Sequence, residues 1–157
     1  RGILDIGLLQ EPVDIAKYGF VRTPLRERFG VLMRSDSPLA AKKSIQPQDL
    51  IGLPLILPQR ETLQNEFMNW FGPYADQIHV VASGNLLYNQ AILARHQGSY
   101  VLTLELDCSY KDLCFVPVSP PLGYGTVLVW KKVQMFSPAA SRFIAYMKEY
   151  ALGIIQD

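Results

Sequence analysis

Histidine and cysteine are scarce in this chain of 157 residues, with two of each, and that scarcity removes most imidazole, thiol and metal chemistry. His79 falls in an expected strand and His96 at the end of an expected helix, where interaction with the last carbonyls accounts for it. Two histidines so far apart make no metal site, and neither accompanies a GxSxG elbow, since Ser83-Gly84 lacks one. Cys108 and Cys114 bracket five residues, a spacing that is neither a CxxC redox motif nor a zinc motif. They read as two small buried or half-buried thiols, with a disulfide as the alternative. Glycine never assembles into GxGxxG or GxxxxGK, so no nucleotide cradle is expected. No cofactor or metal is expected either. Charge of one sign is also lacking. Fifteen Lys and Arg face 14 Asp and Glu, for a net charge of +1, and no basic run is long enough to neutralise several phosphates. The chain is not expected to grip DNA by itself. No apolar run approaches the roughly 20 residues that cross a bilayer.

What is present is apolar sequence arranged for an α/β sandwich. Hydrophobic residues make up 49% of the chain, and a chain of this size buries roughly 70% of its unfolded surface. Ile3, Leu4, Ile6, Leu8 and Leu9 form a nearly continuous apolar stretch, the pattern of a strand covered on both faces. Such a strand needs neighbours, so the chain is expected to be the later part of a larger α/β protein. Glu11-Pro12 ends it. Tyr18 to Leu25 and Arg28 to Met33 read as two strands about Arg26-Glu27, able to pair locally. Short helical turns follow at Pro38 to Lys43 and Gln46 to Leu50, and then a strand over Pro54 to Leu57. The spacing of Leu63, Phe67, Trp70 and Phe71 predicts an amphipathic helix over Thr62 to Phe71, stopped by Gly72-Pro73. A strand at Ile78 to Ala82 leads to a second helix, Asn85 to His96, with Leu86, Asn89, Ile92 and Leu93 on one face. Strands at Tyr100 to Leu104, Phe115 to Val118 and Gly125 to Trp130 precede a last helix opened by Ser137-Pro138. The alternation gives an α/β fold with a mixed sheet.

Three places offer polar side chains where such folds bind ligands. Glu11 sits at the exit of the first strand, and open α/β sheets place ligands beyond strand ends. Pro58 to Thr62 joins a buried strand to a helix, so Gln59, Arg60 and Thr62 are candidates to meet a ligand at the helix start. Arg60 presents a planar donor fork suited to an anion. Gly98 to Thr103 joins a helix to a strand, and Ser99, Tyr100 and Thr103 are candidates there. Each cluster also reads as ordinary loop chemistry. Asp5, Glu11 and Asp14 are the one set of carboxylates that an enzyme of the paired-lobe type would use.

In order and spacing, Leu4 to Asp14, Gly30 to Ala40, Pro47 to Ile56, Asn85 to Asn89, and Pro121-Leu122 leading to Leu128 to Lys131 resemble the effector-binding domain of LysR-type bacterial transcriptional regulators. The resemblance covers almost the whole chain. It implies two Rossmann-like, mixed-sheet lobes of the type 2 periplasmic-binding-protein fold, with residues 1–17 the last part of the first half of subdomain I, 18–120 subdomain II and 121–157 the return to subdomain I. Subdomain II would be complete and subdomain I partial. It also implies a small effector, polar or anionic, held between the lobes, with Pro58-Gln59-Arg60 and Ser99-Tyr100 where the chain would face the cleft; Thr62, Thr103 and Glu11 complete the expected lining from the loop reading. DNA would be bound only through a winged helix-turn-helix that this sequence does not contain. A homo-oligomer in the cytoplasm is implied, with helix 62–71 as the part of subdomain II that meets a partner. An extracytoplasmic solute-binding protein for a small polar or anionic ligand is the alternative that uses the same fold.

Overall fold

The computed structural model describes residues 4–11, 13–106, 108–133 and 135–153, without the side chains of Leu25 and Arg26. Ile3 and Pro12, which figure in the expected first strand and turn, lie outside the described residues. The chain forms two compact units, one of Arg1–Glu27 with Tyr124–Asp157 and one of Arg28–Gly123. These divisions fall inside a long strand and at the start of the last one. The sequence reading places the boundaries after residues 17 and 120.

The strand that carries the first division is β2, Tyr18–Arg34, preceded by β1, Ile6–Gln10. The expected pair of strands about Arg26-Glu27 is therefore one strand of 17 residues, and no local hairpin forms. The physical reason is the turn chemistry: Leu25-Arg26-Glu27-Arg28 contains no residue that favours a left-handed or Asx-type corner, and nothing there reverses an extended chain. In the unit Arg28–Gly123 the sheet continues through β3 (Pro54–Pro58), β4 (His79–Gly84), β5 (Tyr100–Leu104) and β6 (Leu113–Pro117). β2 pairs antiparallel with β6 on one side and with β5 on the other; β3 then pairs parallel with β5 and with β4. The sheet is mixed, as the sequence pattern predicts.

Alternation along β2 sends its residues to two different helices. Phe29, Val31 and Met33 are buried on one face, where Phe29 meets Phe67 edge-on at 5.1 Å. Phe67 belongs to α1, Glu61–Phe71, whose buried stripe is Leu63, Phe67 and Phe71. Leu32 points the other way and packs with Ile56, Val101, Ala91 and Ala94. Ala91 and Ala94 belong to α2, Leu87–Gln97, whose buried residues are Gln90, Ala91 and Ala94. This corrects most of the expected face of α2, because Leu86, Asn89 and Ile92 are exposed while Leu93 packs against the core. Small residues let the helix backbone approach the sheet closely, and a search for large apolar teeth misses them. Gly98, at φ 69°, ends α2 in the left-handed conformation, its N–H donating to Ala94 O at 3.0 Å.

In the other unit, β1 pairs antiparallel with β7, Gly123–Lys131, with Ile6 opposite Trp130 and Gln10 opposite Thr126. Val127, Leu128 and Val129 are buried. The expected burial of β1 on both faces is not found, since Leu8 and Leu9 are exposed. Among the described residues β1 has β7 as its neighbour and no strand on its other side. The closing helix α3, Pro138–Ala151, starts as expected: Ser137 Oγ accepts from the Ala140 N–H at 3.2 Å. The cysteines are free, Cys108 exposed and Cys114 half-buried, so the expected shielding holds for Cys114 and fails for Cys108. Burial raises the Cys114 thiol above its ordinary pKa.

Candidate functional site

The parallel pairing of β3 with β4 puts two strand-to-helix junctions side by side. Pro58 lies opposite Gly84, so the chain leaves β3 for α1 and β4 for α2 at the same edge of the sheet. Such an edge is where open α/β sheets bind ligands. The two junctions are tied together: Gln59 N–H donates to Gly84 O at 3.1 Å, and Asn85 Nδ2 donates to Gln59 Oε1 at 3.1 Å. Gln90, buried in the first turn of α2, donates from Nε2 to the same Gly84 carbonyl at 2.8 Å. On the other side Gln64 Nε2 donates to Pro58 O at 2.9 Å.

A recess of about 360 Å³ opens at this edge. Its polar lining comes from Gln59, Ser83, Asn85, Asn89 and Gln90 and its apolar lining from Ile56, Ala82, Leu86 and Leu93. The volume suits a small molecule. Amide groups donate and accept, and none of these side chains carries charge at neutral pH. Donors are also supplied by the helices. Neither N-cap residue, Arg60 of α1 or Leu86 of α2, provides a side-chain acceptor. Neither N-cap side chain thus competes for the first-turn N–H groups, and helix starts of this kind favour an anionic or strongly accepting ligand atom.

The structure brings together some of the sequence-predicted residues and separates others. Gln59 lines the recess, Arg60 is the next residue along as the N-cap of α1, and Thr62 is exposed in its first turn. Thr103 pairs with Gly30 near the carboxyl end of β5, and extending the register of Leu55 with Tyr100 brings Thr103 level with Pro58. Ser99 and Tyr100 lie at the opposite edge. They stand where β5 begins, roughly 10 Å of strand from Thr103, and Tyr100 Oη is 2.9 Å from Ser37 Oγ. Ser99 is buried at 2% exposure. Glu11 belongs to the other unit, where its carboxylate meets Arg22 Nε at 2.9 Å. A Cβ on Gly125 would stand 2.6 Å from Glu11 Oε2, so glycine makes room for that carboxylate.

Sequence reading missed Ser83, Asn85, Asn89 and Gln90. The signal for Ser83 and Asn85 was present, because Ala82-Ser83-Gly84-Asn85 is a strand-to-helix junction of the same kind as Pro58 to Thr62. Recognising it as a neighbour required knowing that β3 and β4 run parallel. Among the described residues no three His, Cys, Asp or Glu side chains are arranged to hold a metal. No helix there is long and apolar enough to cross a membrane.

The chain matches the family model described as LysR substrate binding domain over residues 1–152. No curated protein sequence matches it. Among solved structures, HinK, a LysR family transcriptional regulator from Pseudomonas aeruginosa, aligns at 17% identity with a TM-score of 0.75, covering 96% of this chain and 54% of that one. The regulatory domain of Synechocystis PCC6803 CcmR, in complex with 2-PG, aligns at 14% identity and TM-score 0.76, over 94% of this chain and 73% of that one. The effector binding domain of QuiR, in complex with shikimate, aligns at 16% identity and TM-score 0.76, over 97% of this chain and 74% of that one. The chain spans about half the length of the solved regulators that extend beyond this domain.

Proposed function

The chain belongs to the family of LysR substrate binding domains, and on that premise we propose that it is the effector-sensing part of a DNA-binding transcription regulator. The observation that carries the reading is the joined pair of strand-to-helix junctions at Gln59 and Asn85, with a small-molecule recess lined by amides beside two helix starts. That arrangement binds and orients a ligand; the recess lining contains no acid, base or nucleophile pair that would transform one. The effector is a small molecule bearing an anionic or strongly accepting group, met by Gln59, Asn85, Asn89 and the first-turn N–H groups, with Arg60 and Thr62 at the rim. Shikimate, bound by the related QuiR domain, is a hydroxylated carboxylate and an example of this class. Regulation follows if the ligand binds one state of the parent more tightly than another, a coupling of about 1 to 3 kcal/mol in typical cases.

A panel of small hydroxylated carboxylates tested by thermal shift on the intact parent is the direct experiment. One or more should raise the melting temperature in a concentration-dependent way, and the rise should shrink in Gln59→Ala. A panel that stabilises the wild type and the variant equally contradicts the assignment of the recess.

We propose further that self-association uses the edge strand β4 rather than α1. The solvent side of α1 is polar, with Glu61, Asn65 and Asn69 exposed. β4 ends the sheet, with an edge that no strand pairs among the described residues, and Val80 and Val81 are both exposed on it. Unpaired edges of this composition add to another chain.

A further inference from the structure

A second polar recess lies at the other edge of the same sheet. It has a volume of about 520 Å³ and is lined by Arg34, Ser35, Asp36, Arg95, His96 and Asp112. These residues come from the end of β2, the last turn of α2 and the loop before β6. The register places it far from Gln59: β2 runs antiparallel to β5, with Leu32 opposite Val101, so Arg34 stands where β5 begins. A smaller and less polar pocket adjoins it, sharing Arg95 and His96 and walled by Tyr88, Ala91, Ile92, Tyr110 and Leu113, with Lys111 adding a cation to its lining.

The charges decide what fits. Two arginines face two aspartates in the larger recess, so these four charges cancel and do not favour a polyanion. The charges form separate pairs. Arg34 holds Asp36 with two donors, Nε to Oδ1 at 2.8 Å and Nη2 to Oδ2 at 2.5 Å. Arg95 meets Asp112 less closely, Nε to Oδ2 at 3.6 Å, beyond hydrogen-bond distance. Both residues of that looser pair are substantially exposed, at 45% and 61%, and exposed pairs contribute little to stability. A ligand carboxylate can take the outer edge of the Arg95 fork, and a ligand ammonium can take Asp112, at small cost to the fold. Asp112 is also the one non-glycine residue at positive φ among the described residues, 64°. The bond from Ser35 N–H to Asp112 O, 2.9 Å, anchors that turn against the end of β2.

We propose that this recess and its neighbour form a second ligand site, separate from the Gln59 recess, for an α-amino acid zwitterion with a branched or aromatic side chain. The carboxylate pairs with Arg95 and His96, the ammonium with Asp112, and the side chain enters the space between Tyr88, Ile92, Tyr110 and Leu113. Each part of the ligand answers a part of the wall. Opposite charges in one place call for a zwitterion, and the apolar side chains of the adjoining pocket, Tyr88, Ile92 and Leu113, call for more than glycine.

The test is a titration of the intact chain with L-leucine, followed by NMR at the His96 imidazole and at the amides of Arg95 and Asp112. Isocaproate, isoamylamine and glycine serve as probes lacking the ammonium, the carboxylate and the side chain. Leucine should move these resonances along a saturating curve, and each truncated probe should bind at least about tenfold more weakly. Arg95→Gln and Asp112→Gly should each weaken leucine by about 10- to 100-fold. Glycine accepts the positive φ at position 112, so that variant keeps the turn while losing the carboxylate. Absence of saturation with leucine overturns the proposal. So do equal affinities for leucine and isocaproate, or shifts that saturate elsewhere while His96 stays still.

Discussion

Asn85 donates to Gln59 across 3.1 Å, joining the residue that follows β3 to the residue that follows β4. Each side chain thereby limits the rotamers of the other, and a ligand meeting both finds them already placed. Gln59→Ala should weaken binding of an identified effector by about tenfold and change stability little, since Gln59 is exposed. Isothermal calorimetry paired with a denaturant melt separates the two effects.

Arg60→Ala should cost about 1.5 to 3 kcal/mol in affinity if the effector carboxylate contacts the guanidinium. Arg60→Lys should recover only part of the loss, because an ammonium lacks the planar fork. Calorimetry on the three proteins checks both statements.

Much of this arrangement was legible in the sequence. Of Leu63, Phe67, Trp70 and Phe71, three form the buried face of α1 as their spacing predicts, while Trp70 is half-buried and donates to Pro120 O at 2.8 Å; Ser137-Pro138 marks the start of α3. Pro58 to Thr62 pointed to a strand-to-helix junction. Periodicity could not show which junctions are neighbours, since strand order depends on tertiary pairing. The sequence pattern consequently points to Gln59 without Asn85, and to Ser99 and Tyr100 beside it although β5 begins at the other edge of the sheet. The face of α2 is only partly legible for a different reason: Leu93 packs on the core as its spacing predicts, but the most buried residues are Gln90, Ala91 and Ala94, none of which stands out in an apolar pattern.

Gly30 lies where β2 passes β6, and a Cβ there would meet the Phe115 ring and stand 2.5 Å from the Val116 carbonyl oxygen. A backbone oxygen cannot swing aside as a side chain can. Gly30→Ala should destabilise the unit Arg28–Gly123 by about 1 to 3 kcal/mol, measured as a lower denaturant midpoint.

Asp49 is held below its ordinary pKa: burial opposes ionisation, but Lys42 Nζ at 2.6 Å and the Gln46 N–H at 2.8 Å outweigh it. A carboxylate with a depressed pKa stabilises the fold fully above the unfolded-chain value of about 3.9, and this contribution is lost as pH falls through the lower folded value. Asp49→Asn should therefore cost about 0.5 to 1.5 kcal/mol near neutrality. The difference from wild type should shrink in acid. Urea melts across the acid range check the sign.

Val81→Lys places a charge on the exposed edge strand and should reduce the dimer fraction, whereas Asn65→Lys on the polar side of α1 should leave it unchanged. Light scattering over a concentration series distinguishes the β4 edge from α1.

The most direct test of effector sensing at the Gln59 recess follows the side-chain amide resonances of Gln59, Asn85, Asn89 and Gln90 while hydroxylated carboxylates are titrated into the chain. An effector should move these four groups together along one saturating curve, and the common shift should disappear in Asn85→Ala. A carboxylate that binds saturably while all four stay in place would contradict the account.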